Sequence, residues 1–179
     1  RPGGLPLEVL EEVLGEITVD RAVTEKLKAG ERPRAPGMAY RHYAPKAPVT
    51  VITGSPMRSA GYILRHLGEN TGVICFDEFA PLFPGQTVER LGPMEDKSAQ
   101  ARRVFDALRA FDSTSVTEIY AQCPDKEGLG LAIANRLQKA AGFHVVDAGA
   151  PLVIGITGPT GAGKTSALEA LRMLGGLVL

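Results

Sequence analysis

Gly72-Val73-Ile74-Cys75-Phe76 is apolar at every position after its glycine. A strand with one wet face alternates apolar and polar residues, and a strand covered on both faces does not. The run therefore reads as an interior strand of a parallel sheet, with Cys75 as a buried strand thiol. Working outward, residues 49–53 read as an earlier strand. Residues 55–67 read as a helix with Ile63, Leu64 and Leu67 turned to the core. Residues 87–91 fit a short third strand. Residues 96–111 form an amphipathic pattern, Ala101, Val104, Phe105, Leu108 and Phe111 opposing Arg102, Arg103, Asp106 and Arg109. Residues 118–121 are a strand, 130–141 a helix with Ile133, Leu137 and Ala141 inward, and 144–147 a last strand. This alternation predicts an α/β fold: a small three-layer Rossmann-like domain with a mostly parallel sheet over residues 49–149. Gly128-Leu129-Gly130-Leu131 puts glycine just before a helix, which serves either tight strand-to-helix packing or an anion at the helix N-terminus.

Bulk properties narrow the functional classes. The chain has 179 residues, with 20 acidic and 20 basic side chains and a formal net charge of zero. No global field draws it to nucleic acid or anionic lipid. A hydrophobic content of 44% supports a packed core. No apolar run approaches a membrane span and no signal-peptide pattern is present, so a cytoplasmic, reduced protein without membrane contact is expected. Cys75 and Cys123 are the only cysteines, neither with metal-ligand neighbours in sequence. The chain opens Arg1-Pro2-Gly3-Gly4 without an initiator Met and stops in an apolar run at Leu179, so both ends are expected to be cut.

Before the α/β pattern, Leu7, Leu10, Val13 and Leu14 mark one face of a short helix. Glu8, Glu11 and Glu12 lie on the other, and Gly15 is its stop. Residues 20–48 are charged and proline-rich, the composition of a linker. The linker ends P-G-M-A-Y-R-H-Y-A-P-K-A-P over residues 36–48. Its prolines hold the backbone extended. Tyr40, Arg41, His42, Tyr43 and Lys46 offer ring stacking, hydroxyl hydrogen bonds and cationic contacts to phosphate.

That segment resembles the interdomain linker of the long, two-domain threonylcarbamoyl-AMP synthases, with Ala39 where the family usually has Lys. Residues 127–137, E-G-L-G-L-A-I-A-N-R-L, resemble that family's small C-terminal domain, and Arg1-Pro2-Gly3 the end of its YrdC-like catalytic domain. The resemblance implies four segments: 1–20 the tail of the catalytic domain, 21–48 the linker, 49–149 the C-terminal domain, and 150–179 a separate start. It implies synthesis of threonylcarbamoyl-adenylate and pyrophosphate from L-threonine, bicarbonate and ATP, with tRNA reached only through later modification enzymes. Arg1, Tyr40, Arg41, His42 and Tyr43 would bind ATP or the adenylate. No catalytic residue is expected within this stretch.

The last segment carries Gly158-Pro159-Thr160-Gly161-Ala162-Gly163-Lys164-Thr165, which fits G-x-x-x-x-G-K-[ST] after a candidate strand at 152–158 and before a candidate helix at 165–174. Glycines let backbone N–H groups converge on phosphate oxygens, Lys164 supplies a charge to them, and Thr165 a hydroxyl to Mg²⁺. Gly158, Gly161, Ala162, Gly163, Lys164 and Thr165 are thus the candidate phosphate cradle of a truncated P-loop β-α-β. The stretch 154–179 resembles the opening of dephospho-CoA kinase, apart from Pro159-Thr160, which implies ATP, Mg²⁺ and dephospho-CoA. The leading expectation is a synthase fragment fused to a kinase start, inactive by itself. The alternative is a CoA-pathway P-loop kinase with an appended Rossmann-like module that binds a ligand or a partner.

Overall fold

The computed structural model describes residues 7–19, 44–149 and 156–173. Helix α1 (Leu7–Leu14) ends at Gly15, whose φ of +80° suits a residue without a Cβ. The α/β unit then runs β1 (Val49–Thr53), α2 (Pro56–Arg65), β2 (Thr71–Phe76), a 3₁₀ turn (Asp77–Leu82), β3 (Thr87–Gly92), α3 (Lys97–Ala110), β4 (Glu118–Gln122), α4 (Leu129–Ala140) and β5 (Val145–Asp147). Helix α5 (Lys164–Met173) follows.

All five strands pair in parallel, in the order β3-β2-β4-β1-β5. Every residue of β2 is buried, as its unbroken apolar run requires. β1 steps to β2 in one direction, whereas β3 to β4 and β4 to β5 step in the other. Right-handed crossovers then put α2 on one face and α3 with α4 on the opposite face. α3 and α4 pack against each other, while α2 lies on β1 and β4.

The core joins Val51 and Ile52 of β1, Val73 and Ile74 of β2 and Ile119 of β4 to Ile63, Val104, Leu108, Ile133 and Leu137 of the helices. Gly72 is where Phe111 presses closest: a Cβ there would stand 2.5 Å from the ring. Gln122 is fully buried and ties three elements together. Its amide donates to Pro56 O at 2.8 Å and Ser59 Oγ at 2.9 Å, and its oxygen accepts from Phe76 N at 3.1 Å.

Most expected elements recur within a residue or two of their limits, and the sheet is parallel throughout. Leu64 departs from expectation: it is 41% exposed, because Ile63 already takes the inward position of that turn. In helix α1, Val13 and Leu14, on its apolar face, are 75% and 69% exposed. The candidate strand at 152–158 lies largely outside the described residues, and its last three, 156–158, are in no strand among the described residues.

Candidate functional site

Residues 44–48 attach the linker end to the α/β unit. Pro45 is buried, Ala47 packs on the core, and Pro48 O accepts from Ile119 N at 2.9 Å. Lys46 is held twice by one residue: its backbone N donates to Asp112 Oδ1 at 3.0 Å and its Nζ to Asp112 O at 3.2 Å. Lys46 thus anchors the linker end to the turn that follows α3. Arg1, Tyr40, Arg41, His42 and Tyr43 lie outside the described residues.

The P-loop candidates are all described. Gly158, Gly161 and Gly163 have φ of +155°, +84° and +76°, in the region that disfavours side chains. Ala162 N donates to Pro159 O at 3.3 Å, closing a turn, and α5 begins at Lys164 itself. Lys164 Nζ donates to Gly158 O and Pro159 O, each at 2.6 Å. The ammonium thus sits on the carbonyls of the loop whose phosphates it would serve. Gly161, Ala162, Gly163 and Thr165 are exposed.

At the carboxyl edge of the sheet, the loop from β4 to α4 carries Asp125, paired with Lys97 at the start of α3. Partial burial pushes the Asp125 carboxyl up, but the Lys97 ammonium and the Glu127 N–H together bring it below the usual range. Gly130 packs so tightly beneath this loop that a Cβ would meet Asp125 O at 2.1 Å. Gly128 N donates to Glu8 Oε1 of α1 at 3.0 Å. Packing and an anion were alternative readings of these two glycines, and each takes one. No sequence signal pointed to Glu8, because its partner is 120 positions away.

Burial pushes the Cys75 and Cys123 thiols up to about 12, so neither is a nucleophile at neutral pH. Among the described residues, no group of three or more His, Cys, Asp or Glu is placed to hold a metal, and no helix is long and apolar enough to cross a membrane.

A five-stranded parallel sheet with helices on its faces, joined to an anchored linker, defines a Rossmann-like α/β unit. A family model described as the C-terminal domain of threonylcarbamoyl-AMP synthase matches residues 5–142, and the chain belongs to that family. It is 39% identical over 148 residues to the threonylcarbamoyl-AMP synthase of Bacillus subtilis, the match covering 82% of this chain and 42% of that protein. Against the Pyrococcus abyssi synthase the identity is 40% over 155 residues, with the same coverage of each. The crystal structure of P. abyssi Sua5 complexed with L-threonine superposes with a TM-score of 0.69 at 37% identity, over 82% of this chain and 43% of that one. A double alanine variant of the same protein at an adjacent His–Tyr pair superposes with a TM-score of 0.71 at 35% identity, over 86% and 44%. The chain thus spans under half the length of the relatives it matches.

Proposed function

We propose that this chain is part of an L-threonylcarbamoyladenylate synthase, with residues 1–20 ending the catalytic domain, 21–48 forming the linker and 49–149 the C-terminal domain. The family match carries the reading, because it runs through the linker as well as the α/β unit. The amine of L-threonine attacks the carbon of bicarbonate, water leaves, and an oxygen of the resulting carbamate attacks the α-phosphorus of ATP and expels pyrophosphate. Water must be kept from the labile mixed anhydride that forms. Tyr40 or Tyr43 meets the phosphate or ribose, Arg41 and Arg1 neutralise phosphate charge, and His42 braces the linker over the adenylate. The product is passed on for tRNA modification in the cytoplasm. Two further observations support the reading. The P. abyssi relative was crystallised with L-threonine. A His–Tyr pair was also the target of the double alanine variant, and His42-Tyr43 is the one such pair in this sequence. In the full-length protein, His42→Ala and Tyr43→Phe should each lower threonine- and bicarbonate-dependent pyrophosphate release about tenfold or more. Unchanged release in both variants rejects the linker's role.

Residues 150–179 lie beyond the matched family region, and we propose that they begin a dephospho-CoA kinase-like P-loop domain. The glycines at positive φ and the helix opening at Lys164 support this reading. Lys164 and Thr165 would hold ATP phosphates and Mg²⁺, with dephospho-CoA as phosphoryl acceptor. Titration of the full-length protein with a fluorescent ATP analogue should reveal a site weakened about tenfold or more by Lys164→Ala and unaffected by His42→Ala. A Lys164→Ala titration identical to wild type rules the site out.

A further inference from the structure

We propose that the carboxyl edge of this sheet is a docking surface for helix α1, with the Glu8 carboxylate as the anion it receives. β1 and β4 are neighbours, yet β1 leads to β2 beyond β4, and β4 leads to β5 beyond β1. Open α/β sheets take ligands at the carboxyl ends of such strands. Gly128 stands there, at the N-cap of α4, with φ of +53° and no side chain with which to cap the helix. Its N–H lies at the positive end of a twelve-residue helix and has no carbonyl in the helical ladder. Glu8 Oε1 accepts that N–H at 3.0 Å. The α4 N-terminus is thus already supplied with an anion from this chain, where a nucleotide phosphate would otherwise fit.

The exposure pattern of α1 bears on the same conclusion independently. A helix of eight residues is too short to persist alone in water. Yet Val13 and Leu14 face solvent, so apolar burial on this unit does not hold the end of α1 in place. The Glu8 seat is the polar anchor. Lys46 is fixed on Asp112, which precedes β4 at the amino edge of the sheet. Glu8 and Lys46 therefore pin the chain on either side of residues 20–43 to opposite edges of one sheet. This proposal stands on the chain's own contacts and does not require the synthase or the kinase reading.

Amide hydrogen exchange on the 179-residue chain tests it, comparing wild type with Glu8→Ala and Glu12→Ala. In Glu8→Ala, the amides of α1 and of Gly128 should exchange about fivefold faster, the usual effect of losing a helix-capping carboxylate. Glu12→Ala, on the same helix, should match wild type. Alanine is the stronger helix former, so propensity alone would move exchange the other way. Protection of β1, β2 and β4 should be equal in all three chains and so report an intact sheet. Wild-type exchange of α1 in Glu8→Ala overturns the proposal. So does acceleration of α1 alone with Gly128 exchanging as in wild type, which would make the Glu8 charge in the first turn of α1, not the seat on Gly128, the cause.

Discussion

At the scale of single residues, Gln122 shows how a polar side chain earns a place in an apolar core. It sits where β4, β2 and the first turn of α2 meet, and its amide serves one partner from each of the last two and a serine besides. Truncation removes all three bonds and leaves Phe76 N–H buried without an acceptor. Gln122→Ala should therefore destabilise the unit by about 3 kcal/mol, read as a lower urea midpoint at unchanged slope. Nothing in the sequence separates Gln122 from a strand-end polar residue facing water, because its partners come from Pro56, Ser59 and Phe76. Gly72 and Gly130 teach a related lesson. Each is glycine because another group, the Phe111 ring 39 positions from Gly72 or Asp125 O in the loop before Gly130, occupies the space a Cβ would need.

At the scale of elements, local pattern and tertiary role part company at α1 and at the linker end. The amphipathic spacing of α1 was legible, and the helix forms over those residues. Its seat was not, since the Glu8 side contacts α4 while Val13 and Leu14 face solvent. Lys46 was legible as a cation but not as the clamp that joins the linker to Asp112. The pairing of Lys97 with Asp125 links the starts of α3 and α4, and it should respond to acid. A carboxyl held below its unfolded value stabilises the fold above the ordinary carboxylate range, and that stability is lost as pH falls through the depressed folded value. The melting temperature of wild type should accordingly fall more steeply below about pH 4 than that of Asp125→Asn. Both side chains are partly exposed, so added salt should shrink the difference.

At the scale of the whole molecule, the described residues contain a five-stranded parallel sheet, and no group of three or more His, Cys, Asp or Glu among them is placed to hold a metal. The functional reading rests on what this unit accompanies: the linker it anchors and the catalytic domain proposed to precede it. On the proposed reading, the 179-residue chain alone should release no pyrophosphate in the presence of ATP, L-threonine and bicarbonate. Release that depends on both threonine and bicarbonate would show that catalysis resides within these residues. The linker's proposed chemistry rests on what proline, tyrosine, arginine and histidine side chains can do individually. The contacts of Glu8, before the linker, and of Lys46, at its end, were not legible, because each depends on a partner brought close only by folding.

The chain's order of residues was sufficient for the α/β class, for nearly every element and for the burial of β2, because apolar periodicity and glycine or proline punctuation act over a few neighbouring positions. Only the tertiary structure decided the order β3-β2-β4-β1-β5. It also decided which anion meets Gly128 and what Gln122 bonds. Those outcomes depend on groups separated by 46 to 120 positions, and local pattern carries no record of which distant segments close packing will bring together.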